Sequence, residues 1–152
     1  MENKSMINLT QHAATEEQIK AGVVDLPAEI RRELAAYLNF DAAQLVAAGD
    51  DAPDLIDYRA QAITALAAEQ FATGRYGGDA TAMIGGAPWL MGPLERALAS
   101  AGFGVAYAVS DRVSVETVQA DGTVTKSSVF KHLGFVNAID PEPKNDQDNG
   151  PR

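Results

Sequence analysis

The stretch FGVAYAVSDRVSVETVQADGTVTKSSVFKHLGFV, residues 103–136, decides the class of fold. Its first seven residues, FGVAYAV, are apolar nearly throughout, as expected of a strand covered on both faces in a parallel sheet. Ser110-Asp111-Arg112 then interrupts the run. Two further runs, VSVETVQ and TVTKSSVFKHLGFV, flank Asp121-Gly122. That dipeptide is the signature of a two-residue hairpin turn, because both turn positions need positive φ. The last third of the chain therefore reads as a buried strand followed by an antiparallel hairpin.

Upstream, short apolar runs alternate with helical patterns. Residues 6–10 read as a strand, and residues 15–21 as a short helix ended by Gly22. Thr15 caps that helix, with Gln18 at the capping-box spacing. VVDL (23–26) reads as a second strand, and Pro27 suits a first helical position. Ile30, Leu34, Tyr37 and Leu38 then form an amphipathic stripe. Leu38–Phe40 reads as a further short strand, Ala42–Ala48 as a short helix, and AGDDAP as a break. Asp54 to Thr73 is the longest helical pattern, closed by Gly74. TAMIGG (81–86) is a short apolar strand ending in two glycines. The next helix is expected to begin at Pro93, with Leu94, Ala97, Leu98 and Ala101 inward, because a proline inside a helix kinks it.

Strand–helix alternation followed by a hairpin gives an α/β, Rossmann-like fold, with a mostly parallel sheet, helices on both faces and a C-terminal antiparallel β-hairpin. A chain of 152 residues suits one domain. Residues 6–139 are read as that domain. Residues 1–5 and the acidic tail 140–152, DPEPKNDQDNGPR, are read as disordered because they lack apolar anchors.

The composition excludes several functions. With no cysteine among its residues, the chain offers no disulfide, thiolate nucleophile or cysteine–zinc site. Neither histidine has HxH or HExxH spacing, so no metal site is expected. No GxSxG elbow marks a hydrolase. MENKSMINLT has no basic segment leading into an apolar run, so it is not a signal peptide, and no membrane span is visible. A cytoplasmic protein is expected. The net charge of −9 argues against a nucleic-acid polymer, whose phosphates demand many cations. It does not argue against one small anion held by backbone N–H groups and a helix N-terminus.

Ligands of open parallel sheets bind beyond the carboxyl ends of the strands. Three corners of this chain fall there by order alone. TQHAAT leaves the first strand with Thr10, Gln11 and His12. GGAPW leaves the strand at 81–84 with Gly85, Gly86 and Trp89, and SDR leaves the strand at 103–109 with Ser110 and Arg112. The glycines let backbone N–H groups approach a ligand, Arg112 offers a fork for phosphate, and Trp89 a stacking face. His12 is the only general acid or base among them. Each residue also has a structural explanation. The glycine pair lacks both GxGxxG and the Walker Lys-Ser/Thr and serves equally for tight packing. Trp89 suits a core, His12 a helix cap, and Arg112 an exposed pair with Asp111. His132, on the side of Phe130 and Val136, reads as structural.

INLTQHAAT, MIGGAPWLMGPLERAL, YAVSDRVSVE and the closing VFKHLGFV together resemble a family of small uncharacterised proteins of bacteriophages and prophages, over residues 6–136. More distantly, the opening strand, Thr-rich corner and helix beginning Thr15-Glu16-Glu17-Gln18-Ile19 are similar to the small CRISPR-associated ring-nuclease-like proteins. That resemblance implies a Rossmann-like fold, a homodimer and recognition of cyclic oligoadenylate messengers. It carries only Thr10, Gln11 and His12 onto a ligand-facing first loop, and the long C-terminal hairpin departs from it. The expectation is a dimeric protein that binds a small anionic nucleotide of the cyclic-oligonucleotide class, in phage defence or counter-defence. Sequestration is expected ahead of slow metal-free cleavage with His12 as acid or base. The competing expectations are a phage-encoded inhibitor acting through its acidic surface, and an enzyme acting on another phosphorylated metabolite.

Overall fold

The computed structural model describes residues 5–142; residues 1–4 and the tail from 143, part of the segments read as disordered, lie outside them. Five strands form one sheet in the order β2-β1-β3-β4-β5. They are β1 (Met6–Asn8), β2 (Val23–Asp25), β3 (Thr81–Met83), β4 (Gly104–Val118) and β5 (Val124–Ile139). β1 runs parallel to both β2 and β3, and β3 parallel to β4, whereas β4 and β5 are antiparallel. The helices are α1 (Glu16–Lys20), α2 (Ala28–Leu38), α3 (Ala42–Ala48), α4 (Ala52–Phe71) and α5 (Pro88–Ser100).

Connection order explains the layers. The chain moves from β1 outward to β2 in one direction, and from β3 to β4 in the other. Parallel crossovers are right-handed, so α1 and the group α2, α4 and α5 occupy opposite faces. The main core joins Ile7, Ala82 and Val105 of the sheet to Leu34 of α2, Ile63 of α4 and Leu90, Leu94 and Leu98 of α5. The other face is thinner, built on Met6, Val23, Met83 and Ala106 with Ala14 and Phe135 against them.

Several boundaries differ from the sequence reading. Leu38–Phe40 is not a strand: Leu38 is the buried last residue of α2, and Asn39 is its extended cap. The α5 helix begins at Pro88 and contains Pro93. Proline inside a helix costs about 3 kcal/mol. Leu90, Leu94 and Leu98 are fully buried, and each contributes about 1.5–3 kcal/mol, so burial outweighs the lost bond. Ala101 caps that helix and is exposed. The capping box of Thr15 and Gln18 forms as expected, at 3.0 and 3.1 Å.

Ser110-Asp111-Arg112 does not interrupt the fourth strand. β4 continues through it to Val118, with a register shift between Val109 and Ser110 where Leu133 of β5 is left unpaired. The inserted residue changes the alternation of β5. His132 consequently shares its side with Phe135, ring centroids 5.1 Å apart, rather than with Val136. The hairpin loop is also one residue longer than expected. Gln119 pairs with Thr123, the Gly122 N–H donates to the Gln119 carbonyl at 2.9 Å, and Gly122 sits at φ +88. Past Val109 the two strands leave the sheet as an exposed ribbon.

Candidate functional site

β1 ends on a polar residue. Asn8 is only 3% exposed, in a strand otherwise apolar. A buried amide needs its hydrogen bonds made internally. Its Nδ2 donates to Asp25 Oδ1 of β2 and to the His12 carbonyl, each at 2.8 Å. Its Oδ1 accepts from the Thr10 N–H at 2.9 Å and the Thr10 hydroxyl at 2.7 Å. Asp25 also accepts from the Ala14 N–H, at 3.1 and 3.3 Å. Two side chains therefore wind residues 10–14 into a fixed corner. The side chains of Gln11 and His12 stand exposed on it.

The corner after β3 is built from backbone. Leu9 N–H donates to the Met83 carbonyl at 2.9 Å, and Ile84 N–H to that of Ala106 at 3.0 Å. Gly85 comes beside Thr10: a Cβ on it would lie 3.7 Å from Thr10 Cγ2. Gly86 has φ +140, where any side chain is strained. Ala87 and Pro88 then start α5, whose N-terminus has no side-chain cap. Its first N–H groups, and the positive end of its dipole, belong to this rim.

Between the two corners lies a cavity of about 320 Å³, lined by Thr10, Gln11, His12, Leu38, Gly85, Gly86 and Ala87. It lies beyond the carboxyl ends of the paired strands β1 and β3, where the chain switches its direction of winding. Among the described residues, His12 is the one titratable side chain in this lining. Gln11 reaches across to donate from Nε2 to Asn39 Oδ1, bridging the corner to the end of α2. That end is held by Arg59, whose guanidinium donates to the carbonyls of Asn39 and Tyr37 and lies 4.4 Å from the centre of the Phe40 ring.

Five residues singled out from the sequence thus meet: Thr10, Gln11, His12, Gly85 and Gly86. Trp89 does not line the cavity. It is 44% exposed rather than core, and meets Phe40 edge-on with centroids 6.1 Å apart. Ser110 and Arg112 are exposed on the ribbon. Arg112 lies six residues past Ala106, the partner of Met83, or ~20 Å further along the strand. Its guanidinium stands 5.2 Å from the Phe130 ring centre. Asn8, Asp25 and Asn39 were missed. The first two carried a signal: they are polar residues within the short apolar runs MINL and VVDL.

Two other hollows are chemically different. One of about 370 Å³ lies beyond Asn39, among Tyr37, Phe40, Tyr58 and Arg59. One of about 570 Å³ lies at the opposite, amino ends of the strands, with Asp79 and Asp140 in its wall. Those carboxylates oppose an anion.

The chain belongs to the uncharacterized protein MJ1673 family, whose model matches residues 4–136. No curated protein and no solved structure matches it.

Proposed function

We propose that the cavity between the β1 and β3 exits binds a nucleotide second messenger of the cyclic-oligonucleotide class. The position of the cavity carries this reading. It lies beyond the carboxyl ends of parallel strands at the topological switch point, where open α/β sheets take their ligands. Its lining supports the same reading: a glycine corner that admits close backbone approach, an uncapped helix N-terminus beside it, and the second Nε2 hydrogen of Gln11, the first being given to Asn39. The resemblance of the first corner to the ring-nuclease-like proteins narrows the ligand from an anion to this class, and gives the protein a place in phage defence or counter-defence.

Holding the messenger is favoured over cutting it. Among the described residues His12 stands without a second titratable side chain in the lining, and Arg112 is carried away on the ribbon. Metal-free cleavage would need charge stabilised on the phosphate as the ribose hydroxyl attacks. The cavity is at the small end of the usual ~300–1,000 Å³ range, which suits one nucleotide unit entering while the rest lies along the rim.

Thermal shift with cyclic oligoadenylates, cyclic dinucleotides and a linear RNA of the same bases tests the proposal. The cyclic compounds are expected to raise Tm in a dose-dependent way. Small molecules released by denaturing the natively purified protein should include such a nucleotide. No shift with any cyclic compound, and no nucleotide released, would refute it.

A further inference from the structure

Among the described residues, nothing packs on either face of the ribbon from Ser110 to Val118, paired with Val124 to His132, and both of its strand edges are open. β3 pairs with β4 only as far as Ala106. Val113, Val115, Val118, Val129 and Phe130 are all exposed on it. A two-stranded ribbon is marginal in water unless something covers it. We propose that a second copy of this chain covers it, the two β4 edges pairing antiparallel about Ser114.

Charge complementarity selects this occupant and this edge. The chain carries −9 overall, and two such bodies repel. On the ribbon, however, Asp111, Glu116 and Asp121 balance Arg112, Lys126 and Lys131, three against three. Two copies can therefore meet there without opposing net charges. About Ser114 the edge is self-complementary. Arg112 falls opposite the partner's Glu116 and Val113 opposite the partner's Val115, while the two Ser114 residues meet each other. Directly opposed residues share a face, so two ion pairs and two valine pairs form at once. The β5 edge offers no such match. It carries Lys126 and Lys131 with no acidic residue from Val124 to Ile139, the pattern by which edges are kept unpaired.

The length also fits. In this register the partner's Val118 stands opposite Ser110, and its turn comes to rest beside residues 107–109. That places the partner's turn in the lane β3 vacates after Met83, next to the corner of Gly85 and Gly86. Each ribbon then borders the other copy's cavity. The dimer is read without any ligand, so its failure is separate from failure of the nucleotide proposal.

The chain has no cysteine, so single cysteines report the geometry directly. Opposed residues of an antiparallel pair lie about 4.5–5.5 Å apart at Cα, within disulfide reach. Ser114→Cys is expected to cross-link two copies on mild oxidation, while Ser128→Cys, its neighbour on β5, stays uncross-linked. In sedimentation, Arg112→Glu or Glu116→Arg should raise the dimer Kd about tenfold or more by opposing like charges. The double exchange Arg112→Glu/Glu116→Arg should recover most of that loss. A monomer at every concentration, equal cross-linking at positions 114 and 128, or no recovery in the double exchange would overturn the proposal. The cross-linking pair decides it if a charge variant fails to fold.

Discussion

At the scale of single residues, the site depends on Asn8 more than on the residues exposed in it. The amide of Asn8 holds His12, Thr10 and Asp25 together from a buried position. Asn8→Ala leaves the half-buried Asp25 carboxylate one donor short and the half-buried Thr10 N–H without its acceptor, a loss of about 1–3 kcal/mol in all. Urea unfolding should show a loss of that size, and cyclic-nucleotide binding should weaken because residues 10–12 lose their bracing. Gly86→Val should behave differently. The strain falls on an edge corner at φ +140, so binding is expected to drop steeply while the main core stays folded. Calorimetric titration beside circular dichroism separates the two effects. These roles were unequally legible in the sequence. The glycines show themselves because only backbone conformation explains them, and Thr10, Gln11 and His12 because polar residues replace a simple turn. Asn8 shows only as a polar residue in an apolar run, and its role stays out of view because nothing in one strand says what a polar residue meets on its neighbour.

At the scale of elements, α5 and β4 are tied by one polar contact as well as by apolar packing. The Tyr107 hydroxyl donates to the Glu95 carboxylate. Burial first, then that hydrogen bond and the Glu95 charge, hold the hydroxyl well above the usual phenol range. The folded form thus keeps its proton more tightly than the unfolded chain. Its contribution is complete below about pH 10, the phenol value of an unfolded chain, and is lost as pH rises beyond it. Tyr107→Phe should therefore flatten the alkaline limb of stability above about pH 10, read by thermal unfolding, relative to the unmodified protein. Helix and strand order were readable because periodicity and caps are local. The ends were not. Pro93 sits inside α5 and Leu38 ends α2 because burial against the sheet outweighs local preference. The continuation of β4 through Ser110-Asp111-Arg112 follows from pairing with β5, whose register no single strand reveals.

At the scale of the whole molecule, the fold is a mostly parallel sheet wound in two directions from the paired strands β1 and β3, with one ribbon carried past its carboxyl rim. The α/β class and the terminal hairpin were legible from alternation and from the Asp121-Gly122 turn. Two of three expected corners meet at the cavity because they leave adjacent strands. The third does not, because β4 keeps going as a strand instead of turning into a helix. Site and ribbon thus share one rim while the larger hollow lies at the opposite end of the strands. Backbone amide shifts measured during titration with a cyclic oligoadenylate test where a nucleotide sits. The largest changes are expected at residues 10–12 and 85–89, with residues 78–81 and 135–140 unmoved. Changes confined to the latter group, or none at saturating concentration, would contradict a ligand site between β1 and β3.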